Sequence, residues 1–366
     1  MSRLRKRVLV SLAVLYVLCA GFYYIYFVST ESAVRHAEEV LFSRATVTRL
    51  GEQGQYRHFF ITNRGSETTD GPVDQRFSAE RVEDLSYGHF DISIEPTLGL
   101  GMMLNPTDWF QNEEIQLDNV VDLGQPAFID GLRDAVERSP GRSLLLVVHG
   151  FRERFPSALR KTAFIGSVLD IDTPVLVFDW PGNQGSSLRG YRAARAVAEA
   201  SGPDLARVLQ LIIREIKPDR LALVGNSMGG QVIVDAFGYL YAQEDLADPE
   251  VELHSVILTA PDIDRADFDA QFRDEIRALS RQLIVYVSSN DRALLVSRLI
   301  NRGPRVGESS LSPDMMDEAE MIADMIRTDG DIVTLIDVTP INRTRNFHNF
   351  SLETPEFFDD LFLRLT

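Results

Sequence analysis

The residues best suited to chemistry lie at 221–230, where the apolar run LALV leads directly into GNSMGG. A helical pattern follows at 229–243. In this strand–turn–helix context the G-x-S-x-G spacing places a serine on a sharp, strained turn and presents its hydroxyl at the edge of a sheet. The backbone N–H of Met228 then lies at the start of the helix, where it can bind an oxyanion. We therefore predict that Ser227 is a nucleophile; the alternative is a chance Gly/Ser turn.

A serine nucleophile needs a base, and on such a turn the partners follow the serine along the chain in the order acid, then histidine. Of the 6 histidines, only His254 and His348 follow Ser227. His254 begins a predicted strand, at the edge of the sheet opposite the one where Ser227 is predicted to lie. This position favours a structural role for His254. His348 lies in a loop after the last predicted strand, and we predict that it is the base.

Two predicted strand ends between the serine and the histidine carry acids. TAPDID offers Asp262 and Asp264, and YVSSND offers Asp291. We favour Asp291, because the acid usually follows the later of these strands, and we keep Asp262 as the alternative acid. The acid would hold the imidazole in the correct tautomer and stabilise the imidazolium. The other role open to Asp262 is to cap the following helix.

The second oxyanion donor is expected in the loop after an earlier strand. LLLVVHGFRERF ends a predicted strand in His149, Gly150 and Phe151. Gly150 allows a close backbone approach, and the Phe151 N–H is the predicted donor. His149 precedes the nucleophile, so we predict that it braces the loop. The next strand is followed by FDWPGNQGS, which lacks the lysine of a phosphate loop; Trp180 is predicted to line the rim of the substrate site.

The elements that must position these residues alternate between short apolar runs and longer helical patterns. This alternation predicts one α/β domain at 51–366, with a mostly parallel eight-stranded sheet and helices on both faces. The predicted strands are His58–Thr62, Phe90–Glu95, Leu144–Val148, Val175–Phe178, Leu221–Val224, Ser255–Thr259, Leu283–Val287 and Ile332–Val338. Helical patterns fit 157–169, 204–214, 229–243, 267–280 and 355–365, whereas 97–126 is interpreted as an irregular excursion.

An acidic insertion at 304–331 contains Met315, Met316, Met321 and Met325. Flexible methionine side chains suit adaptable apolar surfaces, so one interpretation is a lid or an acyl-binding wall. We favour a covering helix whose apolar stripe packs on the core.

The N-terminus predicts a membrane anchor. Residues 8–28 form a run of 21 residues without a charge. As a helix the run would be about 31 Å long, which matches a bilayer core of about 30 Å. The basic tail at 1–7 predicts a cytoplasmic N-terminus and a periplasmic domain on a bacterial inner membrane. Residues 29–50 are interpreted as a short helical neck above the membrane. A cleaved signal peptide is the alternative; a lipoprotein acylated at Cys19 is disfavoured because Leu18 precedes that cysteine.

Composition excludes several classes of protein. The formal net charge of −17 repels phosphates, which argues against a general nucleic-acid binder. The single cysteine excludes intramolecular disulfides, cysteine-based zinc sites and iron–sulfur clusters.

As a set, these motifs resemble an uncharacterised bacterial α/β-hydrolase family whose members are labelled serine esterases. The matching pieces, in chain order, are FFITNR, YGHFDISIEP, VVHGF, FDWPGNQGS, GNSMGG, APDIDRADF, YVSSNDRALLVS, RGPRVGE and the C-terminal IDVT and FHNFSLETPEFFDDLFLRL. The resemblance implies an α/β-hydrolase fold, a triad of Ser227, Asp291 and His348, and no cofactor or metal. The chain departs from the family at Asn226, where relatives often carry histidine, and in the acidic stretch after Arg305.

These observations favour a membrane-anchored serine hydrolase. It would cleave a small-molecule or lipid-derived ester through an acyl-enzyme intermediate. An amidase or peptidase would use the same residues. The rival class is a non-catalytic scaffold that binds a periplasmic partner or ligand, because a fold alone does not decide function.

Overall fold

The structure is a computed structural model, and it describes part of the chain. The described residues are 15–16, 55–66, 71–94, 115–169, 173–242, 253–263, 278–289, 333–342 and 350–365, with Phe268, Glu275, Asp291 and Leu294.

Nine strands of the described residues form one sheet. They are β1 (Gln55–Ser66), β2 (Phe77–Ile94), β3 (Ile115–Leu123), β4 (Ser143–Val148), β5 (Val175–Asp179), β6 (Arg220–Asn226), β7 (Ser255–Thr259), β8 (Leu283–Val287) and β9 (Val333–Asp337). Their order across the sheet is β3-β2-β1-β5-β4-β6-β7-β8-β9. The β1–β2 and β2–β3 pairs are antiparallel, and every pair from β1–β5 to β8–β9 is parallel. The carboxyl ends of β5, β4, β6, β7 and β8 therefore meet at one edge, which we call the catalytic edge.

Helices of the described residues cover both faces of the sheet. They are α1 (Gln125–Arg138), α2 (Phe155–Leu169), α3 (Leu188–Leu211), α4 (Gly229–Tyr241), α5 (Phe350–Glu353) and α6 (Pro355–Leu365). Short 3₁₀ turns lie at Val73–Gln75 and Pro140–Arg142, and a π turn at Ile212–Ile216 extends α3.

Alternating side chains of the buried strands divide the core into two layers. In β4, Leu144 and Leu146 join the cluster packed by α1, α3 and α4, whereas Leu145 and Val147 join the cluster packed by α2 and α6. This is the pattern of a strand buried on both faces, since successive side chains point to opposite sides.

The structure corrects two expectations about the elements. The sheet has a ninth strand, because Ile115–Leu123 pairs with β2 inside the stretch interpreted as an irregular excursion. A register shift between Asp91 and Ile92 disturbs the alternation that would have marked the pairing. The helix predicted at 204–214 begins at Leu188 and runs through Pro203, because burial of this segment overrides the helix-breaking tendency of proline.

The predicted membrane segment and the predicted insertion lie outside the described residues, except for Leu15 and Tyr16, which are helical and exposed. Among the residues that the structure describes, no helix has the length and apolar character needed to cross a bilayer.

Candidate active site

The turn between β6 and α4 holds Ser227 in the left-handed region, with a φ of 51°. Such a φ is strained for a residue with a side chain and persists only where the surroundings fix it. Ser227 N donates to Thr259 O at 2.9 Å, and Gly230 N donates to Ser227 O at 3.0 Å. A Cβ on Gly229 would lie 2.5 Å from the Val148 carbonyl oxygen, so only glycine lets α4 begin this close to β4. The turn thus has the geometry of a nucleophile elbow.

The loop after β7 interlocks with this turn. Asp262 N donates to Ser227 O at 3.1 Å, and Ala260 N donates to Tyr286 O at 3.1 Å. Ala260 is itself in the left-handed region, with a φ of 44°. Strained residues cluster at functional sites, and here two of them lie at adjacent strand ends.

The loop after β4 lies against the elbow from the other side. A Cβ on Gly150 would lie 3.1 Å from Asn226 O and 3.2 Å from Ser227 Cβ. The predicted oxyanion donors are the amides of Phe151 in this loop and of Met228 at the start of α4. Within the described part of the chain, neither amide donates in a backbone hydrogen bond. In the sequence prediction these two amides bind the negative charge that develops beside the serine.

Asp262, the alternative acid, is engaged by a tyrosine of α3. The Tyr191 hydroxyl donates to Asp262 Oδ2 at 2.6 Å. The Tyr191 ring also packs edge-on against Phe151, with ring centroids 5.6 Å apart. One side chain thus links the loop after β4 to the loop after β7, on either side of Ser227. Nothing in the sequence pattern pointed to Tyr191.

Asp291, the favoured acid, follows β8 and is buried. Its Oδ1 accepts a hydrogen bond from Leu294 N at 3.0 Å. The preceding residues are bound to the segment after β9, where Asn342 Nδ2 donates to Ser288 Oγ at 2.9 Å. The strand ends that the triad prediction uses for the acid and the histidine are therefore adjacent in the structure.

His348, the predicted base, lies outside the described residues. Ser351, three residues further along the chain, is described and contacts the elbow: Asn226 Nδ2 donates to Ser351 Oγ at 3.1 Å. This contact gives Asn226, the departure from the family pattern, a structural role. His254 lies at the opposite edge of the sheet, where its N–H donates to Leu221 O at the start of β6, as the sequence predicted.

The structure differs from the prediction at Trp180. Its side chain is buried in the core, so it does not line an exposed rim. The indole stacks on His149 with ring centroids 5.6 Å apart, and its Nε1 donates to His149 O at 2.8 Å. The expected bracing role of His149 is visible in the contact between its Nε2 and Asp179 Oδ1, at 3.0 Å.

A buried ion pair below this loop was absent from the sequence prediction. Arg64 Nε lies 2.6 Å from Asp179 Oδ2, and the two side chains are 1% and 0% exposed. Burial by itself raises the pKa of Asp179, but the Arg64 guanidinium and the His149 hydrogen bond outweigh burial and lower that pKa to about 2. The only sequence signal was the inclusion of Arg64 in FFITNR and Asp179 in FDWPGNQGS.

The nine-stranded sheet, the helices on its two faces and the serine elbow after β6 define the class of α/β hydrolases. Residues 126–360 match the family described as "Alpha/beta hydrolase of unknown function (DUF900)". The match covers well over half of the chain, so the chain belongs to this family. The resemblance inferred from the motifs is thereby confirmed.

Solved structures also resemble this chain, at low TM-scores. An uncharacterized protein from Bacillus cereus ATCC 10987 is 13% identical over 61% of each chain, with a TM-score of 0.35. The butyrate-bound esterase Est2 from Thermogutta terrifontis is 14% identical over 62% of this chain and 83% of its own, with a TM-score of 0.31. A lipase-esterase related protein from Clostridium acetobutylicum ATCC 824 is 12% identical over 62% of this chain and 94% of its own, with a TM-score of 0.30. No curated protein matches the chain.

Proposed function

We propose that this protein is a serine hydrolase that cleaves carboxylic esters, with Ser227 as the nucleophile. The observation that carries the proposal is the strained Ser227 backbone, which is bound on one side by the loop after β7 and flanked on the other by Gly150. A structural turn has no need of a left-handed serine, whereas a nucleophile needs this conformation to present its hydroxyl at the sheet edge.

In the proposed reaction His348 takes the hydroxyl proton as Ser227 Oγ attacks the ester carbonyl. The amides of Met228 and Phe151 bind the oxyanion of the tetrahedral intermediate. The intermediate collapses to an acyl-enzyme, and the alcohol leaves with the proton from His348. A water molecule, deprotonated by His348, then releases the carboxylic acid and restores Ser227. Asp291 orients the imidazole; its buried position after β8 supports this assignment.

The same proposal includes a bacterial inner-membrane location, with the uncharged run at 8–28 as a single-pass anchor and the hydrolase domain in the periplasm. A lipid-derived ester presented at the membrane surface would suit such a tether. A reporter fused to the C-terminus should be active only in the periplasm. A soluble, N-terminally processed protein would contradict the anchor.

The test of the chemistry is labelling of the full chain by a fluorophosphonate probe, together with hydrolysis of short-, medium- and long-chain esters. We expect wild-type protein and Ser143→Ala to be labelled and Ser227→Ala to be unlabelled. Ser143 is a matched control because it begins β4, at the opposite edge of the sheet. Ser227→Ala and His348→Ala should each lower ester turnover by about 10⁴-fold or more, since triad members act as a unit.

The acid assignment has its own test. Asp291→Asn should be far more damaging to turnover than Asp262→Asn, because Asp291 follows β8, which pairs with β9, the strand that precedes His348. The opposite ranking in folded variants would move the acid to the loop after β7. Absence of both labelling and turnover in folded wild-type protein would favour the non-catalytic scaffold, whereas turnover of amides alone would favour an amidase or peptidase.

A further inference from the structure

The Arg64–Asp179 ion pair is buried, and a buried ion pair adds little to the stability of a fold. Both side chains are almost fully removed from water. Desolvation costs several kcal/mol for each ion, so a buried pair often stabilises a fold no more than apolar residues of similar volume. Stability alone therefore does not explain why this pair is present.

The pair joins three strand ends at the catalytic edge. Arg64 lies near the end of β1, Asp179 ends β5, and His149 follows β4. Arg64 Nη2 donates to Trp180 O at 2.7 Å and to Glu153 O at 2.9 Å. The guanidinium thus holds the backbone on both sides of the gap between the loops after β4 and β5.

The loop at 149–152 is fastened to the end of β5 by further contacts. Trp180 Nε1 donates to His149 O, and Arg152 N donates to Gly182 O at 2.9 Å. Arg152 has a φ of 71°, a strained value that such contacts must maintain. Phe151, whose amide is the proposed oxyanion donor, lies within this fastened loop. The geometry of the donor therefore depends on the position of the β5 end.

We infer that Arg64 and Asp179 are positioning residues for the oxyanion hole. Asp179 fixes the imidazole of His149, Arg64 fixes Asp179 and the Trp180 carbonyl, and together they hold the Phe151 amide at the distance at which it binds the oxyanion. The inference rests on the proposed function, because an oxyanion hole requires a reaction. An oxyanion donor acts mainly in the transition state, so a displaced donor lowers kcat more than it changes KM.

The structure supplies a matched control in Asp204, a second buried aspartate. Asp204 is 1% exposed and is bound by Arg81 Nε at 2.8 Å and Asn63 Nδ2 at 2.7 Å. It lies on α3 and contacts β1 and β2 residues rather than the 149–152 loop. Asp179→Asn and Asp204→Asn each remove the charge of a buried aspartate that arginine binds, but only the first lies next to the proposed oxyanion loop.

The first measurement compares ester hydrolysis by the full-length wild type and the two variants, below their unfolding temperatures. We expect Asp179→Asn to lower kcat by about 30-fold with KM within about threefold, because loss of a whole oxyanion donor costs about 10²–10³ in kcat. Asp204→Asn should keep kcat within about threefold of wild type by the same reasoning. Equal losses in the two variants, or an unchanged kcat in folded Asp179→Asn, would overturn the inference.

The second measurement separates this inference from the proposed function. Amide hydrogen exchange in 149–152, at equal distance from each protein's unfolding midpoint, should be faster in Asp179→Asn than in Asp204→Asn. If the wild type hydrolyses no ester but exchange is still faster in Asp179→Asn, the proposed function is wrong and the positioning of the loop is supported. Unchanged exchange would sink the positioning itself.

A second variant, which leaves the Arg64–Asp179 ion pair in place, tests the inference if Asp179→Asn does not fold. Trp180→Phe keeps an aromatic ring beside His149 and removes the Nε1–H donor to the His149 carbonyl. We expect a fall in kcat of about fivefold to tenfold, smaller than for a lost donor, and faster exchange at 149–152. Wild-type kcat and exchange in Trp180→Phe would contradict the inference.

Discussion

Two adjacent residues of β1, Asn63 and Arg64, each bind a different buried aspartate. Arg64 Nε lies 2.6 Å from Asp179, and Asn63 Nδ2 lies 2.7 Å from Asp204. Neighbouring residues of a strand point to opposite faces, so one tripeptide, TNR, supplies both contacts. The Asp179 side lies at the catalytic edge, whereas the Asp204 side fastens α3 to β1 and β2.

The difference between the two sites is their access to water. Arg64 is 1% exposed, whereas Arg81 and Arg207, the partners of Asp204, are 25% and 47% exposed. An exposed arginine that loses its partner is solvated again, but a buried one is left as an uncompensated charge. The comparison suggests that Asp204 holds a helix in place at modest cost, whereas Asp179 specifies one arrangement of the loops around Ser227.

The largest effect expected from this comparison is on the stability of the Asp179 site. Arg64→Met should lower the free energy of unfolding by about 3–5 kcal/mol, because it leaves Asp179 buried without its cation. Arg81→Met should cost about 1 kcal/mol or less, because a partly exposed ion pair contributes little. Urea unfolding of the two variants checks the ranking, and equal losses would remove the distinction between the two sites.

The buried neutral side chain of His58, also on β1, should make the free energy of unfolding depend on pH, in contrast to the ionised Asp179. His58 is buried, and neither ring nitrogen has a hydrogen-bond partner among the described residues. Burial lowers its pKa from 6.5 to about 4. Between these values the unfolded chain binds a proton that the folded chain does not, so stability is lost as the pH falls from 6.5 towards 4. The loss reaches about 3 kcal/mol at pH 4, at about 1.4 kcal/mol per pH unit.

The control for His58 is His58→Phe, which keeps a ring beside Phe90 and cannot titrate. The difference in unfolding free energy between wild type and variant should change by about 3 kcal/mol across this window. Asp179, whose pKa is lowered to about 2, is present in both proteins, so its titration cancels from this difference. A constant difference between pH 7 and pH 4 would contradict the assignment to His58.

The same comparison shows what the sequence could predict. The elbow at Ser227 was predictable, because strand, turn and helix are contiguous and glycine spacing reports close approach. The contact between Arg64 and Asp179 was not predictable, since the two residues are 115 apart in the chain and no local periodicity brings them together. The buried position of Trp180 was not predictable either. The strand Ile115–Leu123 was missed for a related reason: its pairing with β2 is fixed by tertiary contacts and interrupted by a register shift.

A smaller loss of stability is expected when a hydroxyl group is removed at each of the two aspartate sites. Thr62 Oγ1 donates to Asp179 Oδ2 at 2.7 Å, and Ser201 Oγ accepts from Asn63 Nδ2 at 3.0 Å. Thr62→Val should cost about 2 kcal/mol of stability, because the lost hydrogen bond is to a buried charge, and Ser201→Ala about 1 kcal/mol. Thermal unfolding measures both. A larger loss for Ser201→Ala would mean that the Asp204 site is the more tightly specified.

The smallest expected effect on ester turnover tests whether Asp262, another buried carboxylate, belongs with the proposed positioning groups or with the proposed triad. Tyr191→Phe keeps the ring against Phe151 and removes only the hydroxyl bound to Asp262 Oδ2. We expect a stability loss of about 2 kcal/mol, because the lost hydrogen bond is to a buried carboxylate, and ester turnover within about threefold of wild type, because the proposed oxyanion loop keeps its packing. Tyr191→Leu, which also removes the edge-on ring contact, should lower kcat further without changing KM. A loss above tenfold in Tyr191→Phe, with a shifted pH profile of kcat, would instead assign Asp262 to the triad and leave Asp291 as a structural acid.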